Sequence, residues 1–528
     1  MTTNSYQFLI TITNLVASLV SIFFSLAMTP DLSAAANKTE VEAQHAELGL
    51  RIAKASTNHT QHPEAQWFPD AGLGLFLHWD QGSVRMLGTS WPMIAAPNFK
   101  KVKYKTDPAT WEPAEWARII REKDFLLDGK KRITPNEYWA LAKEFNPGDY
   151  HPEVWLQKAK DAGFVYAVLT TKHHNGFAMW PSAYGGFNTK DTPMKGRDLV
   201  KEYVNACRQV GLKVGLYFSG PDWHFDRDYK DFLAGELHKK YPDKLPAMNA
   251  DHEPQTVKHT AEEIAAHQKA YGEMVAGQIT ELLSNYGKID LIWFDGAPPI
   301  PNAADYMPIA RIRELQPGIV INPRFHRGGG YDFVTLEKDL PVDFRLENDQ
   351  WGELCSHWHS SWSWEGKPFE PFDEVVTTLA RCRHAGINNL LDIGPLASGN
   401  LPPTAFPELE KMAAWMKINS EAIYGTRALP AGEKASVLAS AKGKVRYLYL
   451  NTVWKSKRGK SEKSSEKDVK AAGPLMVSFT GLPGAYSAQL LGDEKQYTMT
   501  TNGTTQTVEI PAAALGQGVR VLKLAPKQ

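Results

Sequence analysis

The sequence predicts an α/β chain: a (β/α) barrel of the TIM type followed by a C-terminal antiparallel β-sandwich. Two observations carry that expectation. From about residue 65 to 400, short runs rich in Val, Ile, Leu and Phe alternate with amphipathic stretches, as repeated β-α units do. After a helix-like stretch at 408–423, apolar residues recur at every second position, the period of half-buried strands. The expected boundaries are a signal peptide at 1–36, a (β/α) barrel domain at 37–425 and a β-sandwich domain at 426–528.

Barrel strands are expected at 73–79, 164–171, 213–219, 289–295, 318–324 and 389–393, with helices at 154–162, 199–210, 261–284 and 374–384. Several strands end in polar or aromatic clusters: Leu77-His78-Trp79, Thr171-Lys172-His173-His174, Ile292-Trp293-Phe294-Asp295 and Asn322-Pro323-Arg324. In a parallel barrel those ends face one mouth, so the clusters are expected to converge. The stretch 224–260 reads as a polar insertion after a strand, placed to cover or wall that mouth. Sandwich strands are expected at 445–452, 475–480, 487–491, 505–510 and 519–524, and the Lys-, Ser- and Glu-rich 455–473 reads as a solvated loop.

The 528 residues hold 59 Lys plus Arg against 59 Asp plus Glu. That balance argues against a nucleic-acid partner held by bulk charge. The composition, 43% hydrophobic and 22% charged, is that of a globular protein with a large core. Sixteen Trp supply flat amphipathic rings suited to sugar-like ligands. Cys207, Cys355 and Cys382 allow at most one disulfide, so the core must supply stability. The apolar run 8–28, followed by Ser33-Ala34-Ala35-Ala36, reads as a cleaved export signal, with a retained anchor as the alternative because residues 1–7 hold no Lys or Arg. The expected destination is secreted, periplasmic or lysosomal according to host, without stable membrane association after cleavage.

Asp295 follows the apolar Leu291-Ile292-Trp293-Phe294 and precedes Gly296, which ends the strand. A strand-end Asp either caps the following loop or presents its carboxylate to the mouth. With an ordinary value near 3.9 it is ionised at neutral pH and ready to act as a nucleophile. Trp293, two residues earlier, points to the same side and is placed to form an apolar wall. His173 and His174 are adjacent, and neighbours in an extended chain point opposite ways, which argues against one metal ion held by both. No His-Glu-x-x-His or Cys-x-x-Cys spacing is present, and His357-Trp358-His359 lacks an obvious carboxylate partner. The expectation is no metal and no cofactor, with His78, His173 and His174 donating hydrogen bonds to ligand hydroxyls.

Five motifs in order resemble the α-L-fucosidases of glycoside hydrolase family 29: Trp67-Phe68-x-x-Ala71-x-x-Gly74-x-Phe76-x-His78-Trp79; Lys172-His173-His174-x-Gly176-Phe177-x-x-Trp180-x-Ser182; Gly215-Leu216-Tyr217-Phe218-Ser219; Trp293-Phe294-Asp295-Gly296; and Asn389-Leu390-Leu391-Asp392-Ile393-Gly394-Pro395. The resemblance runs from about residue 65 to 425. It implies retaining cleavage of terminal α-L-fucosides on fucosylated oligosaccharides, polysaccharides or glycoconjugates, without a metal.

Carried over by position, the resemblance puts the nucleophile at Asp295. It makes His78, His173, His174 and Tyr217 ligands of the fucose hydroxyls, Trp293 a pocket wall and Arg324 the arginine beside the nucleophile. For the general acid/base, the nearest match to the family's Trp-Glu string is Trp351-Gly352-Glu353, ahead of Ser361-Trp362, which points to Glu353; Glu347, Glu365 and Glu337 are its rivals. Ser90-Trp91 stands where many members have Glu-Trp, so Trp91 is expected to line the sugar site without a carboxylate beside it. That departure leaves an L-galactoside as an alternative substrate, since apolar pockets reject an added hydroxyl by only roughly a hundredfold. A sugar-binding protein without turnover is the other alternative.

Overall fold

A computed structural model describes residues 59–95, 107–112, 114–116, 133–233, 235–241, 244–325, 329–341, 344–346, 349–452 and 474–527. The expected signal peptide, the 455–473 loop and Glu347 lie outside them. Among the described residues no helix is long and apolar enough to cross a membrane.

Eight parallel strands form a nearly closed barrel: β1 (Leu73–Leu77), β2 (Tyr166–Lys172), β3 (Lys213–Phe218), β4 (Leu291–Phe294), β5 (Val320–Ile321), β6 (Phe333–Glu337), β7 (Trp351–His357) and β8 (Asn388–Asp392). Their order is β5-β4-β3-β2-β1-β8-β7-β6, so the seam falls between two strands consecutive in sequence. One buried carboxylate stitches that seam. Asp332 donates its own N–H to Ile321 O at 2.9 Å, while its side chain accepts from Ile321 N, from Arg313 and from Thr60 N, each at 2.7 Å.

The strand β5 is only two residues long although 318–324 was expected to be extended. The Asn322 side chain takes over the ladder, accepting from Phe294 N at 2.7 Å and donating to Phe294 O at 2.8 Å. Strands β6 and β7 escape the apolar-run criterion altogether. They carry Thr335, Glu337, Glu353, Ser356 and His357 among their apolar residues. Glu353 is satisfied there by Tyr166 and Trp293, and Ser356 on the other face by Asn389.

Helices Pro152–Asp161, Leu199–Val210, Ala261–Ser284 and Phe372–Ala385 lie within two residues of their expected ends. Local chemistry sets those ends. Thr260 and Glu263 form a capping box at the start of Ala261–Ser284, and Asp198 accepts from Lys201 N ahead of Leu199–Val210. Inside the barrel, alternate strand residues including Phe76, Tyr166, Tyr217, Trp293, Trp351 and Leu390 pack into one buried cluster.

Nine further strands make two antiparallel sheets: β9 (Lys434–Ala435), β10 (Leu438–Lys442), β11 (Val445–Leu450), β12 (Leu475–Thr480), β13 (Tyr486–Leu490), β14 (Gln496–Tyr497), β15 (Met499–Asn502), β16 (Thr505–Ile510) and β17 (Arg520–Pro526). The orders are β10-β11-β17-β13-β14 and β15-β16-β12-β9, with Leu448, Val477, Phe479, Leu490 and Leu522 buried in their shared core. Tyr449 Oη donates to Ala422 O at 2.6 Å and Trp415 Nε1 to Val519 O at 2.8 Å, which ties this module to the helix Ala405–Asn419 and the turn Ser420–Ala422 that follows it. All three cysteines are free and buried.

The 224–260 insertion is less polar than its composition suggests. It contains a short helix, Gly235–Lys240, and packs Leu233, Leu237 and Tyr241 against Trp111 and Trp116. A backbone bridge joins Leu233 to Ala95, close behind Trp91.

Candidate active site

Asp295 leaves the end of β4 with its N–H donated to Phe218 O at 3.0 Å. Gly296 follows at φ 96°, a left-handed conformation that side chains resist, and turns the chain away so that the carboxylate faces the mouth. Each carboxylate oxygen has its own donor. Tyr217 Oη donates to Oδ2 at 2.7 Å and Arg324 Nη1 to Oδ1 at 3.2 Å. Burial first, and then the charge of Asp295, keep the Tyr217 phenol protonated and therefore a donor. Burial alone would pull the Arg324 guanidinium down, but Glu337, Cys355 and Asp295 carry it up, so its charge is permanent.

The other terminal nitrogen of Arg324 reaches Glu337 Oε2 at 3.1 Å. Glu337 closes β6, so this pair spans the seam of the barrel at its mouth. Its side chain keeps 14% exposure, close to the 13% of Asp295. The two carboxylates therefore flank one opening, tied by one guanidinium.

Glu353 sits differently. It lies in the middle of β7, paired in register with Thr335 and Asn388, and is completely buried. Tyr166 Oη donates to its Oε2 at 2.5 Å and Trp293 Nε1 to its Oε1 at 2.9 Å. Burial pushes this carboxyl up to about 7, the range a general acid needs, but both oxygens point into the barrel interior and neither is open to the mouth. The reading of Glu353 as the proton donor to a leaving group thus meets a geometric obstacle. The Trp-Gly-Glu string belongs to a strand, where period two turns Trp351, Glu353 and Cys355 inward together. Of the other rivals, Glu365 carries a side chain only 4% exposed, 3.8 Å from Lys367 Nζ.

His173 and His174 both reach the site, because the chain is no longer extended there. The strand β2 stops at Lys172, and the turn that follows, with Gly176 N bonded to His173 O at 3.0 Å, brings the two rings to 4.3 Å. Their hydrogen bonds commit one ring nitrogen of each. Ser219 Oγ spends its proton on Pro221 O at 2.6 Å, so His174 Nδ1, 2.6 Å away, is the donor in that pair, which leaves Nε2 as an acceptor 3.5 Å from Asp295. Ser90 Oγ accepts from Asn175 N at 2.8 Å and lies 2.6 Å from His173 Nδ1, which commits that ring nitrogen and turns Nε2 toward a ligand. Burial holds His78 and His173 well below the ordinary histidine value and His174 down at about 3, so all three act as neutral rings. His78 is oriented by Asp392, with Nδ1 2.7 Å from Oδ1.

Trp91 stands edge-on to His174 and to Trp223, at 5.8 Å from each, and Trp362 lies 5.0 Å from His78. Ser90, the residue in place of an acidic one, is buried and used by His173 rather than open to a ligand. Trp223 and Trp362 were not singled out from sequence; an aromatic residue just past a strand end, as at Pro221-Asp222-Trp223, was the available signal.

His173, His174 and Asp295 offer ligand atoms within 4.8 Å of one another. That spacing suits a sugar hydroxyl lodged between them, and would also suit a cation.

The family model for alpha-L-fucosidase matches residues 39–421 of this chain. The chain belongs to the alpha-L-fucosidase family. Among curated relatives, the tissue alpha-L-fucosidase of Bos taurus is 26% identical over 407 residues, 74% of this chain and 75% of that one. The tissue alpha-L-fucosidase of Homo sapiens is 27% identical over 384 residues, 69% of this chain and 70% of that one. Among solved structures, alpha-L-fucosidase isoenzyme 1 from Paenibacillus thiaminolyticus is 27% identical with a TM-score of 0.63, covering 88% of this chain and 99% of that one. A family 29 alpha-L-fucosidase from Bacteroides thetaiotaomicron, trapped as a covalent intermediate, has the same fold at 22% identity and a TM-score of 0.63, covering 90% and 99%. As an alpha-L-fucosidase of family 29 the protein is a glycoside hydrolase, and its barrel-plus-sandwich architecture is that of its structural neighbours.

Proposed function

We propose that the enzyme removes terminal α-L-fucose from fucosylated glycans with Asp295 as nucleophile and Glu337 as general acid/base, acting from outside the cytosol as the 8–28 segment suggests. One observation carries the residue roles: Arg324 holds both carboxylates at the barrel mouth while Glu353 is enclosed below it. A guanidinium fork that binds two carboxylates suits a separation of about 5 to 5.5 Å, the spacing of a double displacement that retains anomeric configuration.

In the first step Asp295 attacks the anomeric carbon and forms a glycosyl ester while Glu337 gives its proton to the leaving oxygen. Water then enters, Glu337 takes its proton, and the ester is cleaved. Tyr217 and Arg324 keep Asp295 ionised and aimed before attack, and as the ester forms their hydrogen bonds pass to a less charged oxygen. His174 Nε2 accepts from one sugar hydroxyl and His173 Nε2 hydrogen-bonds another. Trp91, Trp293 and Trp362 supply the apolar walls against which a deoxy-sugar methyl group and ring face pack.

Initial rates on an aryl α-L-fucoside and the matching α-L-galactoside test this reading. Turnover of the fucoside at the higher kcat/KM is expected, and a preference for the galactoside would overturn the assignment of the sugar.

A further inference from the structure

We infer that Glu353 is a positioning residue for the nucleophile, acting through the indole of Trp293. Both donors to Asp295 rest on that ring. The Tyr217 ring stacks against it with centroids 5.5 Å apart and planes 15° from parallel, and the Arg324 guanidinium carbon lies 4.8 Å from its centroid. Arg324 and Tyr217 are the groups that bind Oδ1 and Oδ2 of Asp295. The indole has a single polar atom, Nε1, and that atom is bonded to Glu353 Oε1 at 2.9 Å. Glu353 cannot swing away, because Tyr166 holds its second oxygen and the strand around it is buried on both faces. The order of support is therefore Glu353, then Trp293, then the two donors, then Asp295. An indole fixed in its plane by one strong acceptor keeps a cation and a phenol at fixed heights.

This inference rests on the part of the proposed function that denies Glu353 the acid/base role, and the test separates it from the assignment of Glu337. Glu353→Gln keeps the volume and one acceptor but sets an amide group against one of the two donors. Its kcat/KM on an activated aryl α-L-fucoside should fall about tenfold with KM within about twofold. The acid limb of the kcat/KM profile should move to higher pH, since the donors to Asp295 are loosened. The titratable and charged groups around Asp295 include His173, His174, Tyr217, Arg324, Glu337 and Cys355; those around Glu353 are Tyr166, Arg324, Cys355 and Cys382. In a Trp293→Phe background, which lacks the N–H, Glu353→Gln should cost less than about twofold and leave the limb where it is. An equal cost in both backgrounds, or an unmoved acid limb with only a lowered Tm, overturns the inference. Azide rescue of Glu353→Gln giving a glycosyl azide of retained configuration would overturn it together with the Glu337 assignment. Absence of such rescue in Glu337→Ala, with the shift in Glu353→Gln intact, would remove only the latter.

Discussion

Asp295 and Glu337 take hydrogen bonds from the two terminal nitrogens of one guanidinium, that of Arg324. The arrangement crosses the seam of the barrel, where β5 ends after two residues and β6 begins, so the least regular part of the sheet holds its most exacting contact. A fixed cation between two carboxylates does unequal work on them. It favours the ionised form of both, which a nucleophile needs throughout and an acid only after it has given its proton away.

Removal of the nucleophile should be nearly complete in effect. Asp295→Gly is expected to lower kcat on an aryl α-L-fucoside by roughly four orders of magnitude or more. Azide should restore release of the aryl group and leave a β-fucosyl azide, the inverted product. Full activity without azide would show that another group forms the ester.

Glu337→Ala should separate substrates by leaving group. Poor leaving groups need the proton and are expected to slow by about 10² to 10⁴, while an activated dinitrophenyl leaving group should slow far less in the first step. Azide should then speed the second step and give the α-fucosyl azide. An equal loss on both substrates would mean that Glu337 is held for structure and that the proton comes from elsewhere.

These two residues differ in how far the sequence revealed them. Asp295 was legible because an apolar strand followed by Gly296 marks a tip, and tips meet at the barrel mouth. The proposed acid/base was less legible, with Glu337 standing only among the rivals to Glu353, because both candidate strands are short of apolar residues and so were not recognised as strands. Once β7 is seen to run from Trp351 to His357, period two alone turns Glu353 inward, and once β6 ends at Glu337, that residue stands at the mouth. His173 and His174 were both read as facing the ligand, and the turn starting one residue after Lys172 is what lets adjacent residues do so. The six apolar strands and the four amphipathic helices were readable because their periodicity is what burial against a sheet demands. The short strands β9, β14 and β15 carry too few residues to show a period.

Glu353 gives a stability test with a definite sign. Its carboxyl stands at about 7 in the folded chain against an ordinary 4.5. An acid raised in this way binds its proton more tightly when folded, so the native state loses stability as pH rises from about 4.5 to about 7. The full difference is on the order of 3 kcal/mol. Glu353→Gln does not titrate, so urea unfolding should show the variant gaining on the parent between pH 5 and pH 8. A difference between them that is constant with pH would mean that this carboxyl ionises as freely in the folded protein as in the unfolded chain.

The trio of His173, His174 and Asp295 sets up the last prediction, since its ligand atoms lie close enough together for a cation. The surrounding bonds argue for a sugar hydroxyl instead. Asp295 already accepts from Tyr217 and Arg324, and a divalent ion on it would stand beside the permanent charge of that guanidinium, with little water to screen the repulsion. Each histidine has one ring nitrogen committed to a serine, which leaves a single nitrogen on each for a ligand. Dialysis against EDTA should therefore leave kcat/KM on an aryl α-L-fucoside unchanged within about twofold. Loss of activity on chelation, restored by adding back a divalent ion, would mean that the trio holds a metal and that Asp295 is its ligand and not a free nucleophile.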